Sequence, residues 1–146
     1  MSPVSSVKKK NLFREEVRRF MSAEHGILLE TEVAIEIGSP PRIHEFDLAN
    51  LQDRVVVECR RYKWKVGGHV PNGKFRKLLA AVSELENLSG QWTRVLAMYR
   101  SMRGVSEQSL AEYFVQKNEH LLSDVVVVEV ADGKIRVLHG PSLGGK

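Results

Sequence analysis

Two carboxylates and several cations lie close together in the stretch FDLANLQDRVVVECRRYKW. Asp47 stands on one apolar segment, Glu58 stands on the next, and Arg60 follows two residues later. Neighbouring carboxylates repel each other unless a cation lies between them, and Mg²⁺ is a hard ion that takes carboxylate oxygens. An excess of positive charge beside them favours a polyanion such as nucleic acid, whose phosphates attract clustered cations. The residue types therefore indicate a magnesium site beside a phosphate-binding surface.

A hairpin must bring the two carboxylates together. Residues 43–49 and 54–61 are predicted to be its strands. If a two-residue loop lies at residues 51–52, Asp47 faces Val56, and both carboxylates project from the same face because side chains alternate along a strand. A shift of the pairing by one residue would move Asp47 to the opposite face. The predicted site therefore depends on the length of this loop.

The surrounding sequence predicts an α/β fold in the order α-β-β-β-α-β-α-β-β. In the first helix Phe13, Val17 and Phe20 recur at helical spacing, and Gly26 is a plausible C-cap. The predicted helices cover residues 11–25, 75–88 and about 106–120, and the predicted strands cover 27–37, 43–49, 54–61, 94–99, 124–130 and 135–138. These elements predict a mixed sheet flanked by helices, in a single domain over 11–139 with flexible tails at 1–10 and 140–146.

Composition places the chain among ordinary globular proteins. It has 146 residues, of which 42% are hydrophobic and 27% charged, and it has no apolar run long enough to span a membrane. The first residues lack the apolar core of a secretory signal, and the single cysteine, Cys59, excludes an internal disulfide. We therefore expect a reducing, cytoplasmic setting and no membrane contact.

Positive charge is concentrated in one segment. Residues 54–77 contain eight Lys and Arg and one acid, Glu58, so this segment carries +7 while the whole chain carries +4. Such a segment fits a nucleic-acid ligand, although a solvated charged face is an equally open interpretation.

The aspartate on the second predicted strand and VVVECRRYKW on the third resemble the PD-(D/E)XK nuclease superfamily, whose core has the restriction-endonuclease-like fold α-β-β-β-α-β. The resemblance covers roughly residues 11–99. It implies that Asp47 and Glu58 bind a divalent metal, Mg²⁺ or Mn²⁺, and that an acid on the first helix, for which we select Glu16, completes a catalytic site for hydrolysis of phosphodiester bonds in DNA or a related nucleic acid.

The chain departs from the family pattern at Arg60, which replaces the lysine of the E-X-K motif. A guanidinium holds phosphate through two hydrogen bonds but cannot act as a base. Lys74, at the start of the second helix, is ranked narrowly above Lys63 as the replacement, because members of the superfamily sometimes relocate a catalytic side chain to that helix. The remaining predicted nucleic-acid contacts are Arg61, Lys63, Lys65, Arg76 and Lys77.

Other residues favour structural roles. His44 has the opposite strand parity to Asp47 and is expected to be a hydrogen-bonded structural histidine. Tyr62 and Trp64 either stack on bases or cover an adjacent helix. Cys59 shares a face with neighbouring valines and is expected to be a buried apolar residue.

Three alternatives stay open at this point. In the first, Glu58 simply pairs with Arg60 or Arg61 and Asp47 is a strand-end residue. In the second, the protein is a catalytically inactive nuclease fold that binds nucleic acid. In the third, it is an interaction module whose basic surface binds an acidic protein. A homodimer is possible under each of them.

Overall fold

The computed structural model describes residues 6–104, 108–141 and 143. The helices are α1 (Ser6–His25), α2 (Asn72–Glu86) and α3 (Leu110–Asn118), with a short 3₁₀ helix at Glu119–Leu121. The strands are β1 (Glu30–Ile37), β2 (Arg42–Asn50), β3 (Val55–Arg60), β4 (Thr93–Tyr99), β5 (Val126–Ala131) and β6 (Lys134–His139). The predicted order of helices and strands is confirmed.

The described strands form one mixed sheet in the order β1-β2-β3-β4-β5-β6. The pairs β1–β2, β2–β3 and β5–β6 are antiparallel, while β3–β4 and β4–β5 are parallel. The two parallel connections need crossovers, and α2 and α3 supply them. The strands β3 and β5 are rich in valine, and the three central strands β3, β4 and β5 are buried on both sides, as parallel strands between helices are.

Helices cover both faces of the sheet. On one face Phe13, Val17 and Met21 of α1 pack against residues such as Val57 and Val95 of the central strands. On the other face α2 and α3 pack against the alternate set of strand residues, with Leu78, Leu85 and Phe114 among the fully buried side chains. The sheet is therefore the middle layer of three, and the ends of its strands are where polar side chains can meet solvent.

The boundaries differ from prediction mainly at helix starts. Residues 6–10, predicted as part of a flexible tail, form the first turns of α1, whereas residues 1–5 lie outside the described part of the chain. Of the predicted C-terminal tail, Leu143 is buried against the α1 face, and residues 142 and 144–146 lie outside the description. The third helix begins at Leu110, later than predicted, because Ser109 caps it with a side-chain hydrogen bond from the Glu112 N–H.

Gly26 ends α1 as predicted. Its φ is +66°, and the N–H groups of Gly26 and Ile27 donate to the carbonyls of Ser22 and Met21. Among the helices of the described residues, none has both the length and the apolar character needed to cross a membrane.

Candidate functional site

The hairpin loop is longer than the sequence suggested. It occupies residues 51–54, and the observed ladder pairs Asn50 with Val55 and Leu48 with Val57. The assumed two-residue loop is wrong, and the same register continued would set Asp47 level with Glu58 rather than Val56. Because the loop is longer than assumed by two residues and not by one, Asp47 and Glu58 still project from the same face of the hairpin.

The site opens where β2 and β3 part. Their regular pairing ends at Leu48 and Val57, although β3 continues beside β4 as far as Arg60. Beyond that point the carboxylates replace the ladder. The Asp47 N–H donates to Glu58 Oε1 at 3.1 Å, and the Cys59 N–H donates to Asp47 Oδ2 at 2.8 Å. Each carboxylate is thus fixed by the backbone of the other strand, with Glu58 only 2% exposed and Asp47 8%.

The Arg60 guanidinium lies against three oxygens of this hairpin. It donates to Asp47 Oδ2 at 3.0 Å and to the carbonyl oxygen of Cys59 at 2.9 Å, and it lies 3.6 Å from Glu58 Oε2. The predicted position of Arg60 on the carboxylate face is confirmed. Two carboxylates and one backbone carbonyl therefore converge on a single cation.

The side chain of α1 that reaches Asp47 is Lys10, whose Nζ lies 3.6 Å from Asp47 Oδ1. Glu16, the helix acid selected from the sequence, is six residues further on and so lies about 120° around the helix from Lys10. Glu16 is not among the described residues that line the cleft in front of the hairpin, whereas Lys10 is. Lys10 was missed because α1 was predicted to start at residue 11. Its spacing of three residues before Phe13 was the available signal.

His44 also belongs to the site, and parity reasoning missed it. Its Nε2 lies 3.0 Å from Glu58 Oε2, and its Nδ1 lies 3.5 Å from Glu84 Oε2 of α2. The strand alternation is interrupted at Asp47, because Phe46 packs toward α2 while Leu48 packs toward α1. Strand alternation counted from Asp47 across that break therefore assigns His44 to the wrong face of the sheet. Its expected hydrogen bonding is confirmed, with Glu58 as the partner.

The pKa values of Glu58 and Arg60 are both raised, which favours the neutral form of Glu58 and the charged form of Arg60. Burial, together with the nearby Asp47 carboxylate, raises the pKa of Glu58 in spite of Arg60 and His44. For Arg60, burial works against the charged form, but the Glu58 and Asp47 carboxylates outweigh it and raise the pKa of the guanidinium. Arg60 is therefore permanently charged and cannot be a base.

The donor set fits a hard divalent ion only in part. Among the described residues no group of three or more His, Cys, Asp and Glu side chains could hold a metal ion. The three converging oxygens of Asp47, Glu58 and Cys59 are nevertheless the hard donors that Mg²⁺ prefers, and Mg²⁺ usually keeps several waters or takes phosphate oxygens for its other positions. The residues fit such an ion as a partial ligand set.

A basic cleft of about 940 Å³, here called the main cleft, opens in front of the hairpin. The cations that line it are Lys9, Lys10, Arg60, Arg61, Lys63, Lys65, Lys74 and Lys77. Glu84 is the acidic residue among its lining residues, and Asp47 and Glu58 lie behind Arg60. This charge distribution suits an anionic ligand whose phosphate reaches the carboxylate pair.

Most of the predicted nucleic-acid contacts meet at this cleft. Arg61, Lys63, Lys65, Lys74 and Lys77 line it, whereas Arg76 lies on the adjoining flank of α2 and is not among its lining residues. On α2 the residues that line the cleft, such as Lys74, Lys77 and Ala81, follow a helical stripe. Lys63 needs no bulge to reach the cleft, because β3 ends at Arg60 and strand parity no longer applies.

The aromatic residues near the cleft pack against helices, and cationic side chains lie over their rings. Tyr62 packs with the α2 core and lies 5.1 Å from Lys74 Nζ, while the Trp64 ring lies 5.3 Å from that of Tyr113 on α3. Arg61 lies over the ring of Tyr99 at 4.7 Å. Of the two roles left open for Tyr62 and Trp64, the structure favours covering the helices.

Comparison with models of protein families, with curated proteins and with solved structures found no match.

Proposed function

We propose that this protein is a metal-dependent nuclease with a restriction-endonuclease-like core, and that it hydrolyses phosphodiester bonds in DNA. The observation that carries the proposal is the convergence of Asp47 Oδ2, Glu58 Oε2 and the Cys59 carbonyl oxygen on Arg60, which lines a cleft rich in cations. A reducing, cytoplasmic setting is part of the proposal, and the free, buried Cys59 is compatible with it.

In this proposal Asp47, Glu58 and the Cys59 carbonyl hold Mg²⁺ or Mn²⁺. A divalent ion bound there would lower the pKa of a coordinated water and offset negative charge that develops on the phosphate. The hydrogen bonds from the Asp47 and Cys59 N–H groups hold both carboxylates in place beside Arg60.

The cations have separate tasks. With the metal bound in its place, Arg60 would hold the scissile phosphate through two N–H groups. Lys77 of α2 lines the main cleft and binds flanking phosphates, together with Arg61. Lys74, beside the Tyr62 ring, is the proposed replacement for the missing motif lysine.

A second candidate function is metal-free binding of nucleic acid by a catalytically inactive nuclease fold. The observation that favours it is that Arg60 already contacts all three oxygens and that Arg60 and Lys10 together pair with both oxygens of Asp47. Under this alternative the cleft binds a phosphate backbone and no bond is broken.

Cleavage decides between the two candidates. We expect single-turnover cleavage of a supercoiled plasmid in Mg²⁺ or Mn²⁺ that is lost with chelator and in Asp47→Asn, and Arg60→Lys should increase the rate because it restores the compact cation of the family motif. Cleavage that persists in Asp47→Asn belongs to a contaminant. If neither the parent nor Arg60→Lys cleaves in any divalent ion, the binding function replaces the nuclease proposal.

Binding can be tested independently with two charge reversals on one helix. Lys77 faces the main cleft and Arg76 does not, so Lys77→Glu should weaken binding and flatten its salt dependence, while Arg76→Glu should change both far less. Anisotropy titrations at several salt concentrations in chelator measure this. Equal effects of the two variants would argue that the main cleft is not the binding surface.

A further inference from the structure

A narrow loop separates the main cleft from a second cavity. This side groove has a volume of about 630 Å³ and shares Lys63, Trp64 and Lys65 with the main cleft as a common wall. Its far side is formed by residues 101–104, after β4. Lys63, Lys65 and Arg103 give it positive charge, and none of its lining residues is acidic within the described part of the chain.

The end of this loop, here called the ribbon, is a tight turn over residues 65–69 that is closed by a single β-bridge. Lys65 and His69 form an antiparallel bridge, with the Lys65 N–H donating to the His69 carbonyl at 2.9 Å. Gly67 and Gly68 make the turn with φ of +84° and +77°, which glycine adopts without strain. Val66, at the tip, is 96% exposed, so an apolar side chain projects into solvent between cations.

The ribbon is tied to the body of the protein on its groove side. The backbone N–H of Trp64 donates to Ser101 Oγ at 3.2 Å, and Arg103 Nε donates to the Gly68 carbonyl at 3.1 Å. The Arg103 guanidinium also lies over the Trp64 ring at 4.3 Å. These ties hold the ribbon in place before any ligand arrives, which reduces the entropy lost on binding.

We propose that residues 65–69 enter the major groove of double-stranded DNA, with one phosphate strand lying in the main cleft and the other in the side groove. The inference rests on the proposed function for its ligand and extends it by naming the form of nucleic acid. Two chain segments joined by one bridge are narrow enough for the major groove of B-form DNA, which is about 12 Å wide and admits two paired strands. The main cleft and the side groove meet at Lys65, at the base of the ribbon, and both carry positive charge, as contact with the two phosphate strands that border that groove requires.

The same geometry disfavours the other nucleic acids. The major groove of A-form RNA is deep and narrow, so a ribbon with flanking walls cannot enter it. Single strands are usually held by stacking on open aromatic faces, but the Arg103 guanidinium covers the Trp64 ring at 4.3 Å and that ring also contacts Tyr113. Duplex DNA is therefore the expected ligand.

Two matched pairs of variants test the proposal. Val66→Asp and Val66→Asn differ only in charge at the ribbon tip, and Met102→Glu and Met102→Gln differ only in charge in the side groove, where Met102 is 41% exposed. Each is assayed for Kd in chelator against duplex DNA, duplex RNA and single-stranded DNA of about 20 nucleotides, roughly two helical turns. The parent should prefer duplex DNA over the other two by about tenfold or more, and Val66→Asp and Met102→Glu should each lose about fivefold while their amide controls keep the parent affinity.

The outcomes separate this inference from the proposed function. Equal affinity for duplex RNA and duplex DNA, or Val66→Asp binding as tightly as Val66→Asn, overturns the ribbon, even if Lys77→Glu still weakens binding and Mg²⁺ still supports cleavage. Loss in both acidic variants without any cleavage supports the ribbon and removes the nuclease function. A duplex whose minor groove is filled by a small ligand should bind the protein as well as a bare duplex does. Loss of binding to the filled duplex would show that the ribbon enters the minor groove and not the major groove. Failure of the parent to bind any nucleic acid overturns both proposals.

Discussion

At the scale of single residues, the chemistry of the site depends on which cation the hairpin oxygens hold. Arg60 is 19% exposed in its side chain and contacts Asp47, Glu58 and the Cys59 carbonyl. A divalent ion would use the same oxygens, so the guanidinium and the metal compete for one place. Substrate phosphate, which also attracts the guanidinium, would then favour the metal-bound form.

Arg60→Gln should therefore bind Mn²⁺ about tenfold more tightly than the parent, a change of about 1.4 kcal/mol. Arg61→Gln is the matched control, because the Arg61 guanidinium lies over the Tyr99 ring and not on the carboxylates. Calorimetric titration measures both. An affinity for Mn²⁺ that is the same in the parent and in Arg60→Gln would show that the ion does not use these oxygens.

Glu58 should reduce the stability of the fold at neutral pH. Burial, reinforced by Asp47, raises its pKa, so folding favours its neutral form. The stability that comes from the neutral form of such an acid is fully present below its ordinary pKa and is lost as the pH rises through the raised pKa. Glu58→Gln, which is neutral at every pH, should be more stable than the parent at pH 8 by roughly 0.5 to 2 kcal/mol.

This difference should shrink as the pH falls and the parent carboxyl becomes protonated. Urea unfolding in the presence of chelator, at several pH values, measures it without a contribution from metal. A Glu58→Gln variant that is less stable than the parent at pH 8 would mean that the ion pair with Arg60 outweighs the burial of the carboxylate.

At the scale of elements, α3 shows how a local signal fixes a boundary beside the proposed DNA surface. The Ser109 side chain accepts from the Glu112 N–H, and the Glu112 carboxylate accepts from the Ser109 N–H at 2.8 Å and from Arg136 of β6 at 2.8 Å. The hydrogen bond from the Ser109 backbone, helped by Arg136, lowers the pKa of Glu112. The start of α3 is thereby joined to the edge strand of the sheet.

Glu112→Gln should lower the free energy of unfolding at pH 7 by about 0.5 to 1 kcal/mol, because the amide keeps the cap but loses the charge. Since the pKa of Glu112 is lowered in the folded state, its contribution is present above its ordinary pKa and disappears as the pH falls through the lowered value. Thermal unfolding at pH 7 and in acid checks this, with the exposed Glu30→Gln as control. A difference from the parent that persists in strong acid would assign the loss to packing.

At the scale of the whole molecule, stability and binding occupy different parts of the fold. The core lies on the two faces of the sheet, whereas the cations gather where β3 ends and α2 begins. The segment 54–77 carries +7, so the remainder of the chain carries net negative charge and the protein has a strong charge asymmetry. A polyanion should approach from one side only.

Leu96→Ala tests this separation. Leu96 is fully buried on β4 against the α2 face, so its truncation should lower the free energy of unfolding by about 3 to 5 kcal/mol. Leu28→Ala, at a position that is 69% exposed, should cost less than about 0.5 kcal/mol. Calorimetry gives the stabilities, and at low temperature both variants should bind duplex DNA as the parent does. A large loss of affinity in folded Leu96→Ala would show that the core and the binding surface are coupled.

The sequence by itself determined the order of helices and strands, the mixed sheet and the meeting of the two carboxylates with Arg60. Helical and strand periodicity are local properties, and the shared face of Asp47 and Glu58 survived a wrong loop length because parity depends only on an even or odd count. The burial of Cys59 followed from the same alternation.

Only the tertiary structure decided which other groups join the site. The break in alternation at Asp47 turns His44 toward Glu58, the packing of α1 carries Lys10 and not Glu16 to Asp47, and the stripe on α2 admits Lys77 and leaves out Arg76. The side groove and the ribbon tip exist only because loops distant in the chain lie side by side. Such contacts depend on how elements pack, and residue spacing within a single element does not contain that information.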